Sequence, residues 1–244
     1  MKQAANSQVQ SDSASLIRLQ GVTKVYGHGQ AAMSALRGVD LDIESGDFVA
    51  VMGPSGSGKS TCLNILGCLD TPTDGSYSFK GVEVRHLSQD QRARLRRNYL
   101  GFVFQGFNLL NRTSALENVE LPLIYRGTPA NVRHQQARKA LAAVGLEGWE
   151  HHTPGELSGG QQQRVAIARA IVTRPDVLLA DEPTGNLDTA RSREIMELLS
   201  SFNRELGITI IMVTHELEMA AYAKRLVHFV DGLVASNKPN AGAG

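Results

Sequence analysis

The residues Gly53-Pro54-Ser55-Gly56-Ser57-Gly58-Lys59-Ser60 have the make-up of a phosphate cradle. They satisfy G-x-x-x-x-G-K-[ST] in full. Glycines in such a loop let successive backbone N–H groups turn onto one anion. Gly53, Ser55, Gly56 and Gly58 are therefore assigned to the phosphates of a nucleotide, ATP. Lys59 adds a point charge for the β and γ phosphates, and the Ser60 hydroxyl is a ligand for Mg²⁺. The context fits. An apolar strand pattern ends at Met52, and Thr61 to Leu66 suits a helix whose N-terminal dipole and unpaired donors favour anions.

Two further segments carry complementary chemistry. Leu178-Leu179-Ala180-Asp181-Glu182 is an apolar run ending in adjacent acids. A strand of this kind delivers carboxylates to the carboxyl edge of an open α/β sheet, where nucleotides sit. Asp181 would hold Mg²⁺, directly or through water, and Glu182 would orient or deprotonate an attacking water. Leu157-Ser158-Gly159-Gly160-Gln161 precedes a helical run, and Ser158 to Gln161 has the spacing of a capping box. The two glycines leave backbone donors unshielded, so the chain carries a second helix start suited to phosphate.

These residues need a scaffold, and the sequence describes one. The chain has 244 residues, 42% hydrophobic and 20% charged, which is ordinary for a folded domain with a well-buried core. A net charge of +1 gives no electrostatic case for nucleic acid as a partner. No apolar run reaches the roughly 18 to 20 residues that span a bilayer. The start, Met1 to Ser15, is polar and lacks the apolar region of a signal peptide. It and the tail Ser236 to Gly244 are expected to be disordered. Cys62 and Cys68, if on one helix, are separated by about 9 Å along its axis, beyond the roughly 7 Å a disulfide tolerates. Free thiols and no export signal place the chain in the cytoplasm as an expectation.

Asp47 to Met52, Val177 to Ala180, Ile208 to Val213 and Leu226 to Val230 read as strands. The middle two are apolar throughout or nearly so, as for strands covered on both faces. Asp188 to Leu206 reads as an amphipathic helix with Ile195, Leu198, Leu199, Phe202 and Leu206 on its apolar face and Gly207 at its stop. Val39-Asp40-Leu41-Asp42-Ile43 alternates at period two, as in an antiparallel patch. Asn131 to Val144 has helical spacing, and the middle of the chain reads as an inserted helical lobe. The fold class is α/β: a phosphate-loop NTPase core with a mainly parallel sheet, an antiparallel β patch and a helical subdomain. The core is expected at 16–104 and 166–235, with the lobe at 105–165.

The set as a whole resembles the ATPases of ABC transporters. Leu157 to Gln161 matches that family's signature, Gly53 to Thr61 its Walker A loop, and Asp181 with Glu182 its Walker B acids. Tyr26 matches the aromatic that stacks on adenine, Gln105 the Q-loop, Asp188 the D-loop and His215 the switch histidine. The resemblance covers about Leu16 to Gly232. It implies a head-to-tail dimer with ATP between Walker A of one copy and the signature of the other. Lys59, Ser60 and Thr61 would hold phosphates and Mg²⁺ from one side, and Ser158 and Gly160 would close from across the interface. Gln105 would complete the Mg²⁺ shell and sense the membrane partner. His215 would hold the γ-phosphate and steady the water near Glu182.

Asn64 to Asp70, Phe104 to Leu110, Ala115 to Leu123 and Leu179 to Asp188 look like the macrolide-export and lipoprotein-release branch. That branch implies a permease with a large extracytoplasmic domain, often a periplasmic adaptor protein, and a peripheral position on the cytoplasmic face of the inner membrane. Gln105 to Leu123 is the expected docking surface; Phe107, Leu109 and Leu110 either meet a partner helix or belong to the core. Arg92, Arg94, Arg96 and Arg97 read as a solvated helix face, His151 and His152 as surface loop, and Trp149 as a lobe anchor. The competing reading is a soluble ATPase of the same superfamily in translation or DNA repair. One ATPase unit without heptads or a CxxC pair weighs against it.

Overall fold

The computed structural model describes residues 15–27 and 29–240. Strands β1 (Ile17–Tyr26) and β2 (Met33–Ile43) pair antiparallel, and β3 (Phe48–Met52) enters the main sheet. Helix α1 (Lys59–Leu66) is followed by β4 (Asp74–Phe79), β5 (Val82–Glu83), α2 (Gln89–Tyr99) and β6 (Leu100–Phe104). Helices α3 (Ala115–Tyr125) and α4 (Ala130–Ala143) lead to α5 (Gly159–Ile171) and β7 (Val177–Asp181). The chain ends with α6 (Thr189–Leu206), β8 (Thr209–Val213), α7 (Leu217–Ala220), β9 (Arg225–Val230) and β10 (Leu233–Pro239). One sheet has the order β10-β9-β3-β8-β7-β6, and a second, antiparallel, has β2-β1-β4-β5.

Five strands of the larger sheet, β9, β3, β8, β7 and β6, run parallel, and their register does the positioning. Phe104 pairs with Asp181, Asp181 with Val213, and Val213 with Val51. Four strand ends therefore stop at one level, and the residues that follow emerge side by side. Pleating explains why these strands are apolar almost throughout. Phe48, Ala50 and Met52 of β3 face one core with α3 to α7, while Val49 and Val51 face the other with α1, α2 and the antiparallel sheet. Val39, Leu41 and Ile43 are buried while Asp40 and Asp42 are exposed, as the alternation predicts.

Several expectations need correction. Ser236 to Pro239 lie in β10 and pair with β9 through Asp231 and Gly232, both at positive φ (48° and 80°). An edge strand is held by backbone bonds, so its polar composition hid it. Ser15 donates a hydrogen bond to Asp42 at 3.3 Å; the expectations for 1–14 and 241–244 lie outside the described residues. The lobe boundary at 165/166 falls inside α5, a single helix that belongs to both lobe and core. Leu206 is 61% exposed, and Met196 and Asn203 are buried on α6 instead. Asn203 is inside because its amide donates to the carbonyls of Gly46, Asp47 and Ile208. Cys62 and Cys68 are free and buried, with Cys68 beyond the end of α1. Burial pushes their thiols up to about 12 and about 11, which leaves them unreactive.

The basic stretch on α2 is not a plain solvated face. Arg96 donates to the Cys68 carbonyl at 2.6 Å and Arg97 to that of Tyr125 at 3.0 Å. Trp149 is half-buried against the lobe core and packs at a tilt on the half-buried His152, centroids 4.7 Å apart, while His151 is exposed.

At Gly101 of β6, helix α5 packs closely on the sheet. A Cβ there would sit 2.5 Å from the Ala170 carbonyl oxygen. Gly101→Ala should therefore destabilise the chain by about 1–3 kcal/mol, read as a lowered urea midpoint. An unchanged midpoint would mean that α5 and β6 are not packed this tightly.

Candidate functional site

The loop after β3 is shaped by close backbone approach. At Gly53 (φ 145°) a Cβ would lie 2.1 Å from the Phe229 carbonyl oxygen, and at Gly58 (φ 99°) 2.6 Å from that of Ala35. Only glycine fits at either position. The Gly232 N–H donates to the Ser57 carbonyl at 3.0 Å, tying the loop to the β9–β10 turn. Lys59 Nζ donates to the carbonyls of Gly53 and Pro54, both at 2.8 Å. No acidic residue stands in the first turn of α1, so nothing cancels its N-terminal positive end.

This loop forms one wall of a cleft of about 580 Å³. Gly53, Ser55, Gly56, Gly58, Lys59, Ser60 and Thr61 all line it, and Glu182 and His215 face them. The Glu182 N–H continues the ladder to the Val213 carbonyl at 2.9 Å, and its backbone sits at φ 46°. Such left-handed geometry is uncommon for a non-glycine residue and clusters at functional positions. His215 Nδ1 lies 3.0 Å from Glu182 Oε1. Burial, then the adjacent Glu182 charge, push the Asp181 carboxyl above its ordinary range, and Lys59 pulls it back.

Gln105 stands next to this group, beyond β6. Its carbonyl accepts from Asn186 Nδ2 at 2.8 Å, and a Cβ on Gly185 would meet its Nε2 at 2.7 Å. The remaining predicted residues lie elsewhere. Ser158 caps α5 by accepting from the Gln161 N–H, and the Gln161 side chain returns to the Ser158 N–H at 2.9 Å. A Cβ on Gly160 would come 3.1 Å from Arg191 Cδ, and Arg191 N–H donates to Asp188, the N-cap of α6. Ser158, Gly159, Gly160, Gln161 and Asp188 thus form a second cluster, and none of them lines the 580 Å³ cleft. Tyr26 is 37% exposed and donates its hydroxyl to Asp70 at 2.8 Å.

Sequence reasoning missed part of the wall. Ser34, Ala35 and Arg37 of β2 and the Asp231–Gly232 turn also line the cleft. The Asp-Gly dipeptide after an apolar run was a usable hairpin signal; nothing marked the β2 residues.

A glycine-rich loop between a parallel strand and a helix, facing the acid at the end of a parallel strand two places away in the sheet, defines a phosphate-loop NTPase domain. The sequence narrows this further: the chain belongs to the ABC transporter family, whose sequence profile, described as "ABC transporter", matches residues 36–185. It is 50% identical over 225 residues to the macrolide export ATP-binding/permease protein MacB of Hyphomonas neptunium, covering 92% of this chain and 35% of that protein. It is 48% identical over 222 residues to the MacB of Escherichia coli, covering 91% and 34%. The chain thus spans about a third of the length of these curated relatives. A solved dimeric structure of the ATP-binding cassette MJ0796, bound to ADP and Pi in a post-hydrolysis state, superposes with a TM-score of 0.84 at 44% identity, covering 91% of this chain and 98% of that one.

The sign of the Asp181 shift sets a pH dependence. A carboxyl raised in the folded state is penalised when ionised, so it lowers stability above its folded pKa and not below its unfolded one. Asp181→Asn, without nucleotide or Mg²⁺, should raise the Tm at pH 7–8. The gain should vanish as the pH falls toward the ordinary aspartate range of about 4. A gain that is independent of pH would contradict this.

Proposed function

We propose that this chain binds and hydrolyses ATP and uses the cycle to drive a membrane permease. The observation that carries the reading is the pairing of Glu182 with His215 on the same cleft as Lys59 and Ser60. The loop N–H groups and Lys59 bind the phosphates. A carboxylate can only accept, so the proton on His215 Nδ1 points to Glu182 and leaves Nε2 for the γ-phosphate side. Glu182 is thereby held as the base that orients and deprotonates the attacking water. Ser60, Asp181 and Gln105 offer hard oxygen donors suited to Mg²⁺. The Glu182 charge beside Asp181, which helps to raise the Asp181 carboxyl, is what a divalent cation offsets. That ion would supply charge neutralisation on the phosphates. Tyr26 carries the adenine base.

Ser158 to Gln161 and Asp188 serve the site of a second copy. Their separation from the cleft supports this, as does the dimeric state of the solved MJ0796 cassette. Phosphate then sits between two preorganised helix starts, which is the main catalytic resource for phosphoryl transfer.

The partner is a permease, as a separate chain or a fused domain like that named in the relatives. Among the described residues no helix is long and apolar enough to cross a membrane. A groove of about 860 Å³ opens between α2, β6 and α3, lined by the apolar Phe102, Leu121 and Tyr125 and by the cationic Arg94, Arg97 and Arg169. We assign it to a cytoplasmic helix of the permease with an apolar face and acidic flanks, matching the arginines in charge. Phe107, Leu109 and Leu110 do not line this groove. Leu109 packs on the lobe core, Phe107 is half-buried, and Leu110 is 49% exposed. A position on the cytoplasmic membrane face follows from the permease, and a periplasmic adaptor would join through it.

Glu182→Gln is the test. ATP affinity should change little, turnover should fall by roughly 100-fold or more, and a dimer should accumulate with ATP. Full turnover in this variant would remove Glu182 from the role of base.

A further inference from the structure

One cluster of hydrogen bonds joins β1 to the turn after α1, the helix that the phosphate loop leads into. Lys24 and Tyr26, two apart on β1, project to the same side of the strand. Both are bound by Asp70, in the turn that follows α1. Asp70 Oδ1 accepts from Lys24 Nζ at 2.5 Å and from the Thr71 N–H at 2.7 Å, and Oδ2 accepts from the Tyr26 hydroxyl at 2.8 Å. Lys24 also donates to the Thr71 carbonyl at 2.8 Å. Its ammonium lies 4.9 Å from the centre of the Tyr26 ring. The Lys24 side chain is only 12% exposed, so its charge is nearly removed from water and needs these partners. Burial would raise the Asp70 carboxyl, but the bonds from Lys24, Tyr26 and Thr71 outweigh it and hold it below its ordinary range. The Tyr26 hydroxyl is raised by burial and by Asp70, while a bond from Thr61 pulls the other way. Thr61, on α1, itself lines the cleft.

We propose that Asp70 and Lys24 are positioning residues for nucleobase binding: they lock the Tyr26 ring and fix its distance from the phosphate loop. This rests on the reading of Tyr26 as the base platform. An aromatic side chain at a rim loses rotational freedom when a base stacks on it, which weakens binding. Here the hydroxyl is held by Asp70 and one ring face is taken by Lys24, so that loss is already met in the free protein. The other face would carry the base. Asp70 follows α1 and Lys59 begins it. One short helix therefore spans the base platform and the phosphate site, and sets their spacing.

The test is calorimetric titration of ADP and of inorganic pyrophosphate into the 244-residue chain. Tyr26→Ala should weaken ADP by roughly tenfold and leave pyrophosphate unchanged. Asp70→Ala should weaken ADP by several-fold, again without touching pyrophosphate. Tyr26→Phe, which keeps the ring and the Lys24–Asp70 pair but loses the hydroxyl anchor, should fall between wild type and Tyr26→Ala. The double variant Tyr26→Ala/Asp70→Ala should be no weaker than Tyr26→Ala alone, because Asp70 acts through the ring. If Tyr26→Ala leaves ADP affinity intact, the base-platform reading fails. If it weakens ADP while Asp70→Ala and Tyr26→Phe behave as wild type, the platform stands and the positioning role is overturned. Additive losses in the double variant, or an equal loss of pyrophosphate, would reduce Asp70 to a fold contact.

Discussion

The parallel register of the main sheet is the constraint on which the site depends. Val51, Val213, Asp181 and Phe104 lie in one row of backbone pairing across four strands. The residues just beyond that row include the phosphate loop, His215, Glu182 and Gln105. They are far apart in sequence and become neighbours only because the strands stop together. A one-residue slip in any pair would turn its side chains to the opposite face. Burial on both faces forbids that slip. Ile210 and Met212 are committed to one core, and Ile211 and Val213 to the other. The hydrophobic effect thus fixes the register, and the register places the chemistry.

The same scaffold separates the two helix starts. Helix α5 begins in the lobe with its Ser158 cap and ends against β6, so this second helix start stands away from the first. Gln163, buried on α5, donates to the Pro183 carbonyl, next to Glu182. Asn186 reaches back to Gln105. The elements that carry the signature cluster are therefore bonded to the segments that form the chain's own cleft.

Much of this was legible in the residues. The phosphate loop, the apolar strands and the S-x-x-Q cap are local patterns with local causes, and the structure keeps them. Asp188 and Gly207 bound α6 through a side-chain cap and a left-handed residue. What stayed hidden depends on distant partners. β10 is polar and gains its place from the backbone of β9. Asn203 is buried to serve carbonyls from Gly46, Asp47 and Ile208. The arginines of α2 look solvated in sequence, yet they bind carbonyls at Cys68 and Tyr125. Ser34, Ala35 and Arg37 reach the cleft only because β2 folds over the loop. Tyr26, Gln105 and His215 were found by family resemblance, not by spacing, since nothing local marks them.

The central claim is that one ATP site is made by two copies, with Lys59 from one and Ser158 from the other. In the Glu182→Gln background, Lys59→Ala removes the first half and Ser158→Glu sets a negative charge against phosphate in the second. Sedimentation with ATP reads the outcome. Each variant alone should stay monomeric, and an equal mixture should form dimers, because a mixed pair has one intact site. A mixture that stays monomeric, or a single variant that dimerises as well as its parent, would contradict the account.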